Sequence, residues 1–173
     1  MVSAWLYLGF LLLVSIERLA EVRVSNRNAA WSFERGGVEF GQGHYPFMVV
    51  LHTAFLVGCA VEVIALERSF SPVIGVSCLV LAMGCQALRW WVIRTLGPQW
   101  NTRIIVVPGS GRVIDGPFKY FKHPNYIAVI AEGIVLPLVH QAYVTAAVFT
   151  VLNAGLLWVR IRTEDHALLS LEG

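Results

Sequence analysis

The chain has 173 residues, of which 57% are hydrophobic and only 14% are charged. Soluble domains carry roughly 25% charged residues, so this composition excludes a protein whose whole surface faces water. The net charge of +2 is too small to indicate a nucleic-acid partner. The composition instead predicts an all-α, polytopic integral membrane protein, with the lipid bilayer as its surroundings.

Five apolar runs predict about five transmembrane helices in a single domain, 1–173. A crossing needs about 20 apolar residues, and the predicted spans are about 1–20, 45–66, 71–91, 123–140 and 141–160. The fourth run is short and reaches spanning length only if it includes the His123-Pro124 turn and His140. The first run lacks the basic start and the cleavage site of a signal peptide, so we expect it to be retained as a helix.

The basic residues predict the orientation of these spans. With the N-terminus outside, 12 of the 13 Lys and Arg residues fall on the cytoplasmic side, and only Arg68 lies outside. The C-terminus is then cytoplasmic, and so are the two long connections, about 17–44 and 92–122. Because loops of this length are usually functional, we expect the active site to face the cytoplasm.

Common cofactor and metal motifs are missing from the sequence. The cysteines, Cys59, Cys78 and Cys85, lie in apolar runs without CxxC spacing and are typical of small core residues. The five histidines are dispersed, so we expect no metal site. We find no dinucleotide fingerprint, P-loop or nucleophile elbow.

Two polar clusters are the candidate site: 115–126, which precedes most of the fourth apolar run, and 160–166, which follows the fifth. Arg160 and Glu164 are four residues apart and share one helix face. They form either a juxtamembrane salt bridge or a catalytic pair, in which the guanidinium orients an anionic oxygen and the carboxylate steers or accepts a proton. Asp165 and His166 are expected on another, solvated face.

The start of the fourth run carries further candidates. His123 lies near the N-cap of the helix that Pro124 begins, where backbone N–H groups attract a carboxylate or phosphate. Asn125 and Glu132 are seven residues apart and share a helix face. A carboxylate inside an apolar run must face the bundle interior or an aqueous pocket, so Glu132 is either a buried structural residue or a ligand contact.

The glycine-rich segment 35–46 precedes the second run. It predicts either a flexible interfacial loop or a lid for a lipophilic substrate.

Three motifs in order resemble the isoprenylcysteine carboxyl methyltransferase family of integral-membrane enzymes. They are LGPQW at 96–100, GPFKYFKHPNY at 116–126 and RIRTEDHAL at 160–168. The sequence departs from the family pattern at Phe118, Lys122 and Asp165, which weakens the case for prenylcysteine as substrate. The N-terminal half looks like a bacterial branch of the family, which implies a bacterial inner membrane.

The resemblance implies S-adenosylmethionine as the cofactor and a lipophilic or prenyl-like methyl acceptor. It assigns Arg160 and Glu164 to catalysis. The residues that it places on the cofactor side are Tyr120, His123, Asn125, Tyr126 and, as an addition, Glu132. The oxygen that receives the methyl group would belong to a carboxylate, phenol or enol, and some similar enzymes act on long-chain polyketides such as alkylpyrones.

Three alternatives stay open at this point. A phospholipid amine methyltransferase is a near relative, and an NADPH-dependent membrane reductase shares a similar C-terminal cofactor region. The third alternative is a small membrane scaffold, in which the polar clusters would only anchor the helices. The oligomeric state is left open.

Overall fold

Five helices make up most of the protein, as the sequence predicts. The computed structural model describes residues 2–171. The elements are α1 (Val2–Phe33), β1 (Val38–Phe40), α2 (Tyr45–Ala65), α3 (Pro72–Leu96), β2 (Ile104–Val106), α4 (Pro124–Leu138) and α5 (Tyr143–Leu171). The all-α polytopic class is therefore confirmed, whereas the orientation in the membrane stays a prediction.

Four of the helices, α1, α2, α3 and α5, are long and apolar enough to cross a membrane. The fourth helix, α4, has only 15 residues, which corresponds to about 22 Å against a hydrocarbon core of about 30 Å. It ends before His140 because the chain reverses there: Gln141 adopts a left-handed conformation with φ 58°. The fourth apolar run therefore does not give a helix of full spanning length.

The helices meet at two distinct ends of the bundle. At one end, here named the turn end, short connections join α2 to α3 and α4 to α5. Glu62 of α2 binds the start of α5 there, accepting hydrogen bonds from the backbone N–H groups of Val144 (3.1 Å) and Thr145 (2.7 Å). These N–H groups have no partner within the helix, so a carboxylate from a neighbouring helix stabilises the junction.

An apolar core fills the half of the bundle nearer the turn end. Its buried side chains come from all five helices and the α4–α5 turn: Tyr7, Leu11, Val14, Phe55, Cys59, Val63, Cys78, Leu136, Val139, Ala142 and Phe149. All three cysteines are buried, in agreement with their interpretation as core residues.

At the other end, here named the loop end, the long connections fold against the helix termini. Asn28 of α1 donates hydrogen bonds to the carbonyl oxygens of Gly97 (3.1 Å) and Trp100 (2.8 Å). Strands β1 and β2 pair antiparallel, with Phe40 opposite Ile104. These contacts order both long connections beside the ends of α3, α4 and α5.

Candidate active site

A cavity of about 430 Å³ opens at the loop end. Its walls come from the C-terminal part of α3, the segment 99–113 that contains β2, the start of α4 and the end of α5. Five of the seven predicted site residues line it: His123, Asn125, Tyr126, Arg160 and Glu164. Tertiary structure thus brings together two clusters that lie far apart in the sequence.

Tyr126 connects the two predicted catalytic residues. Arg160 Nε donates a hydrogen bond to the Tyr126 hydroxyl at 3.0 Å, and this hydroxyl donates a short hydrogen bond to Glu164 Oε2. The i,i+4 spacing suggested a direct contact between Arg160 and Glu164. The structure instead places a phenol between them, so the guanidinium and the carboxylate are held through a third group.

The guanidinium of Arg160 is buried, with 6% of the residue exposed. Besides Tyr126, Arg160 contacts the carbonyl oxygen of Thr102, at 2.6 Å from Nη2, and the sulfur of Met48, at 3.3 Å from Nη1. In the described part of the chain, no carboxylate forms an ion pair with Arg160. A buried cation without an ionic partner is costly, and the anionic oxygen of a ligand would compensate this charge.

His123 links the start of α4 to the end of α5. Its Nδ1 lies 3.5 Å from Glu164 Oε1, and its Nε2 lies 3.1 Å from Asp165 Oδ1. Lys122 Nζ lies 2.7 Å from the other oxygen of Asp165. The Asp165 side chain is 31% exposed, as the expectation of a solvated face implies, but residues before α4 also reach across and bind it.

Asn125 presents an unsatisfied group at the cavity. Its Oδ1 is buried and has no hydrogen-bond partner, although nearly all buried polar atoms in proteins have one. Because Asn125 lines the cavity, an N–H or O–H donor on a bound ligand would supply the missing hydrogen bond to this oxygen.

Glu132 lies apart from the cavity. It is buried between helices, where its Oε1 accepts hydrogen bonds from Arg18 (3.0 Å) and Gln86 (3.1 Å). Arg18 also contacts Glu21 at 2.7 Å, and Arg89 binds the same carboxylate at 2.5 Å. The structure therefore places Glu132 in an ionic network of α1, α3 and α4, and not with the predicted cofactor residues.

Tyr120 is also separate from the cavity. It is 68% exposed and lines a shallow surface depression with Lys119 and Phe121. The geometry gives it no contact with Arg160 or Glu164.

The glycine-rich segment 35–46 is largely ordered by pairing. Its strand β1 lies against β2, and Glu39 lies 3.7 Å from Arg103. A Cβ added at Gly37 would come within 2.7 Å of the Ser32 carbonyl oxygen, so only glycine fits this close approach. The segment supports β2, which forms one wall of the cavity, and its role as a lid stays a prediction.

Sequence reasoning missed the contribution of α1. Its polar residues recur every three or four positions and lie on one helix face, and they are Arg18, Glu21, Ser25, Asn28 and Ser32. Ser25 donates to Asn101 Oδ1 at 2.7 Å, which fixes the loop that carries Thr102. Polar residues such as Arg23 and Arg27 also occupy other faces of this part of α1, so the sequence alone did not single out this face.

A polytopic helical bundle with a cavity at its loop end defines the class of this protein as a multi-span membrane protein with a candidate binding site, and sequence comparison gives the family. Residues 76–170 match the model of the isoprenylcysteine carboxyl methyltransferase (ICMT) family. The chain belongs to this family, and membership indicates a membrane methyltransferase.

Two bacterial relatives match nearly the whole chain. The protein YpbQ of Bacillus subtilis (strain 168), described as uncharacterized, is 41% identical over 165 residues, which cover 95% of each chain. An uncharacterized protein of Haemophilus influenzae (strain ATCC 51907 / DSM 11121 / KW20 / Rd) is 29% identical over 157 residues, which cover 89% of this chain and 90% of the relative.

Proposed function

We propose that the protein is an S-adenosylmethionine-dependent O-methyltransferase that acts on a lipophilic acceptor. The observation that carries the proposal is the Arg160–Tyr126–Glu164 arrangement at the wall of the loop-end cavity, in which Arg160 and Tyr126 are buried. It combines a cation that can hold an anionic oxygen with a carboxylate that can accept a proton, beside a cavity of cofactor size.

The cavity residues fit the chemistry of this cofactor. The cofactor has two cationic groups, the sulfonium and the ammonium, together with a carboxylate and an adenosine. Glu164 supplies a negative charge, Lys122 and His123 supply donors for a carboxylate, and the unsatisfied Oδ1 of Asn125 can accept from an amino group. When bound, the cofactor supplies an electrophilic methyl group, whose bonding electrons return to sulfur as the new bond to oxygen forms.

The protein's own residues would hold the acceptor oxygen and manage its proton. Arg160 binds the oxygen as an anion and aligns it, and such alignment can remove a large part of the barrier to the displacement. A carboxylate acceptor is already ionised and needs no base. A phenol or enol must lose its proton, and Glu164, which accepts a hydrogen bond from Tyr126, is the group that would receive it.

Titration calorimetry with S-adenosylhomocysteine tests the proposal. Wild-type protein in detergent should bind this product with micromolar affinity. The His123→Ala variant should bind it about tenfold more weakly, or weaker still, because His123 holds Glu164 and Asp165 in place. His166→Ala is the matched control, since His166 is exposed one residue beyond this contact.

The alternatives give different results in binding and methyl-transfer assays. Absence of binding to folded wild-type protein, together with binding of NADPH, would replace the methyltransferase proposal with the reductase. Transfer of the methyl group to a phospholipid amine, and not to an acidic oxygen, would retain the cofactor and change the acceptor.

A further inference from the structure

The interface between α2 and α5 is tight at the turn end. Glu62 of α2 binds the first residues of α5, and a Cβ added at Gly58 would lie only 3.2 Å from the Thr145 side chain. Further along, the rings of Phe55 and Phe149 lie 4.1 Å apart. These contacts leave no room for a ligand in that half of the interface.

The same interface is weakly joined at the loop end. Within residues 2–171, the contact between Arg160 Nη1 and the Met48 sulfur is the only hydrogen bond from α2 to α5 beyond those of Glu62. A thioether is a weak acceptor, whereas a guanidinium is a strong donor. Methionine is also flexible, so an oxygen ligand could displace this sulfur and form a better bond.

Exposed apolar residues flank Met48 on α2. Phe47 is 70% exposed and Val50 is 67% exposed, while Met48 itself turns inward to Arg160. The contact therefore lies next to an exposed apolar surface of α2, from which an apolar substrate could approach.

A second unsatisfied group lies deeper on α5. Asn153 is only 3% exposed, and its Oδ1 has no hydrogen-bond partner. It is seven residues before Arg160, hence on the same helix face and about 10 Å nearer the turn end. A buried acceptor without a partner needs an explanation, and a donor on a bound molecule would provide one.

His52 adds an acceptor at a similar depth. It is four residues after Met48 on α2 and lies edge-on to Phe149, with ring centroids 5.3 Å apart. Its Nδ1 lies 2.9 Å from the Met48 carbonyl oxygen. Because a carbonyl can only accept, Nδ1 carries the proton there, and Nε2 of the neutral ring keeps a lone pair.

We propose that the α2–α5 interface between Met48 and Asn153 is the binding site for the head group of the methyl acceptor. The acidic oxygen replaces the Met48 sulfur at Arg160 Nη1, and a second group of the head group donates a hydrogen bond to Asn153 Oδ1. The inference rests on the proposed function and narrows its substrate class to lipophilic molecules that carry a hydroxyl or N–H donor besides the methylated oxygen. A simple fatty carboxylate lacks that donor.

A pair of amphiphilic phenols that differ by one hydroxyl group tests the site. Binding of 5-pentadecylresorcinol and 3-pentadecylphenol is measured on the full-length protein in nanodiscs with S-adenosylhomocysteine present. The wild type should bind the diol about five- to tenfold more tightly, as expected for one buried hydrogen bond. Asn153→Leu, which keeps the branching of the side chain but removes the acceptor, should reduce this ratio to about one, and the smaller Asn153→Ala should do the same.

Two further variants locate the site. The Met48→Trp variant should fill the space beside Arg160. It should bind neither phenol, while its affinity for S-adenosylhomocysteine should stay unchanged. Leu152→Ala is the control on the same helix, since Leu152 is 54% exposed, and it should behave as the wild type.

The results separate this inference from the function on which it rests. A wild type that binds the two phenols equally or not at all, or an Asn153→Leu variant that keeps the wild-type ratio, contradicts the acceptor site. Failure of folded wild-type protein to bind S-adenosylhomocysteine contradicts the proposed methyltransferase function itself, whatever the phenols do.

Discussion

Tyr126 determines how the two charged residues of the site cooperate. Its hydroxyl accepts a hydrogen bond from Arg160 and donates one to Glu164. The hydroxyl therefore fixes the positions of these two side chains relative to each other. Its ring also stacks on His123, with centroids 5.4 Å apart. The motif at 116–126 therefore supplies both a support for the cavity wall and the central link of the proposed catalytic group.

Removal of this hydroxyl should lower the rate without removing the ring. We expect Tyr126→Phe to reduce kcat by about tenfold or more, because Arg160 and Glu164 lose their common partner while the stacking on His123 remains. Methyl transfer to a lipophilic acceptor is the measurement. Tyr120→Phe serves as the control and should match the wild type, since Tyr120 is exposed. Equal losses in both variants would contradict the separation of these two tyrosines.

Lysine should not replace Arg160. Three nitrogens of the guanidinium point to three different partners, Tyr126, Thr102 and Met48, and an ammonium cannot reproduce this planar arrangement. We expect Arg160→Lys to lower kcat/KM by about 100-fold or more, with wild-type amounts of protein in the membrane. Near-normal activity would show that only the positive charge at this position matters.

At the scale of elements, the ionic network of α1, α3 and α4 explains how a short helix is held in the bundle. The helix α4 is too short to rely on lipid contact along a full crossing, and Glu132 at its middle binds Arg18 and Gln86. The network also includes Glu21 and Arg89, which are buried as well. Because each charge has an opposite partner, burial within the bundle is tolerated.

Loss of Glu132 should therefore affect stability and not cofactor binding. We expect Glu132→Leu to lower the free energy of unfolding by on the order of 3 kcal/mol, because Arg18 loses a buried partner. Unfolding in detergent measures this change, with Glu34→Leu as the control, since the Glu34 side chain is 74% exposed. A large loss of S-adenosylhomocysteine affinity in the folded variant would instead show that Glu132 contributes to the cofactor site.

The sequence predicted the location of the individual helices better than it predicted the contacts between them. The apolar runs located all five helices, because long apolar stretches have few alternatives in a bilayer. The ends were less accurate: α1 and α5 continue well beyond the predicted spans, since helices do not stop at the membrane surface. The motifs gave five cavity residues, whereas the position of Glu132 depended on Arg18, which lies 114 residues away.

At the scale of the whole molecule, the predicted topology has a direct test. The positive-inside rule places the N-terminus and Arg68 outside and the loop end in the cytoplasm. We expect a cysteine at Glu67 to react with an impermeant maleimide added to intact cells, and a cysteine at Arg112 to react only after permeabilisation. The parent protein, whose three cysteines are buried, gives the background. The reverse labelling pattern would invert the topology and place the cavity outside.

The ionic network also bears on how the protein is made. α1 leaves the ribosome first and carries Glu17, Arg18 and Glu21, whereas their partners Gln86, Arg89, Trp90 and Glu132 are synthesised much later. Until α4 has been added, these charges lack part of their final surroundings. Assembly of the bundle must therefore wait for the C-terminal half, and a nascent chain that stops before Glu132 should remain a substrate for membrane quality-control proteases.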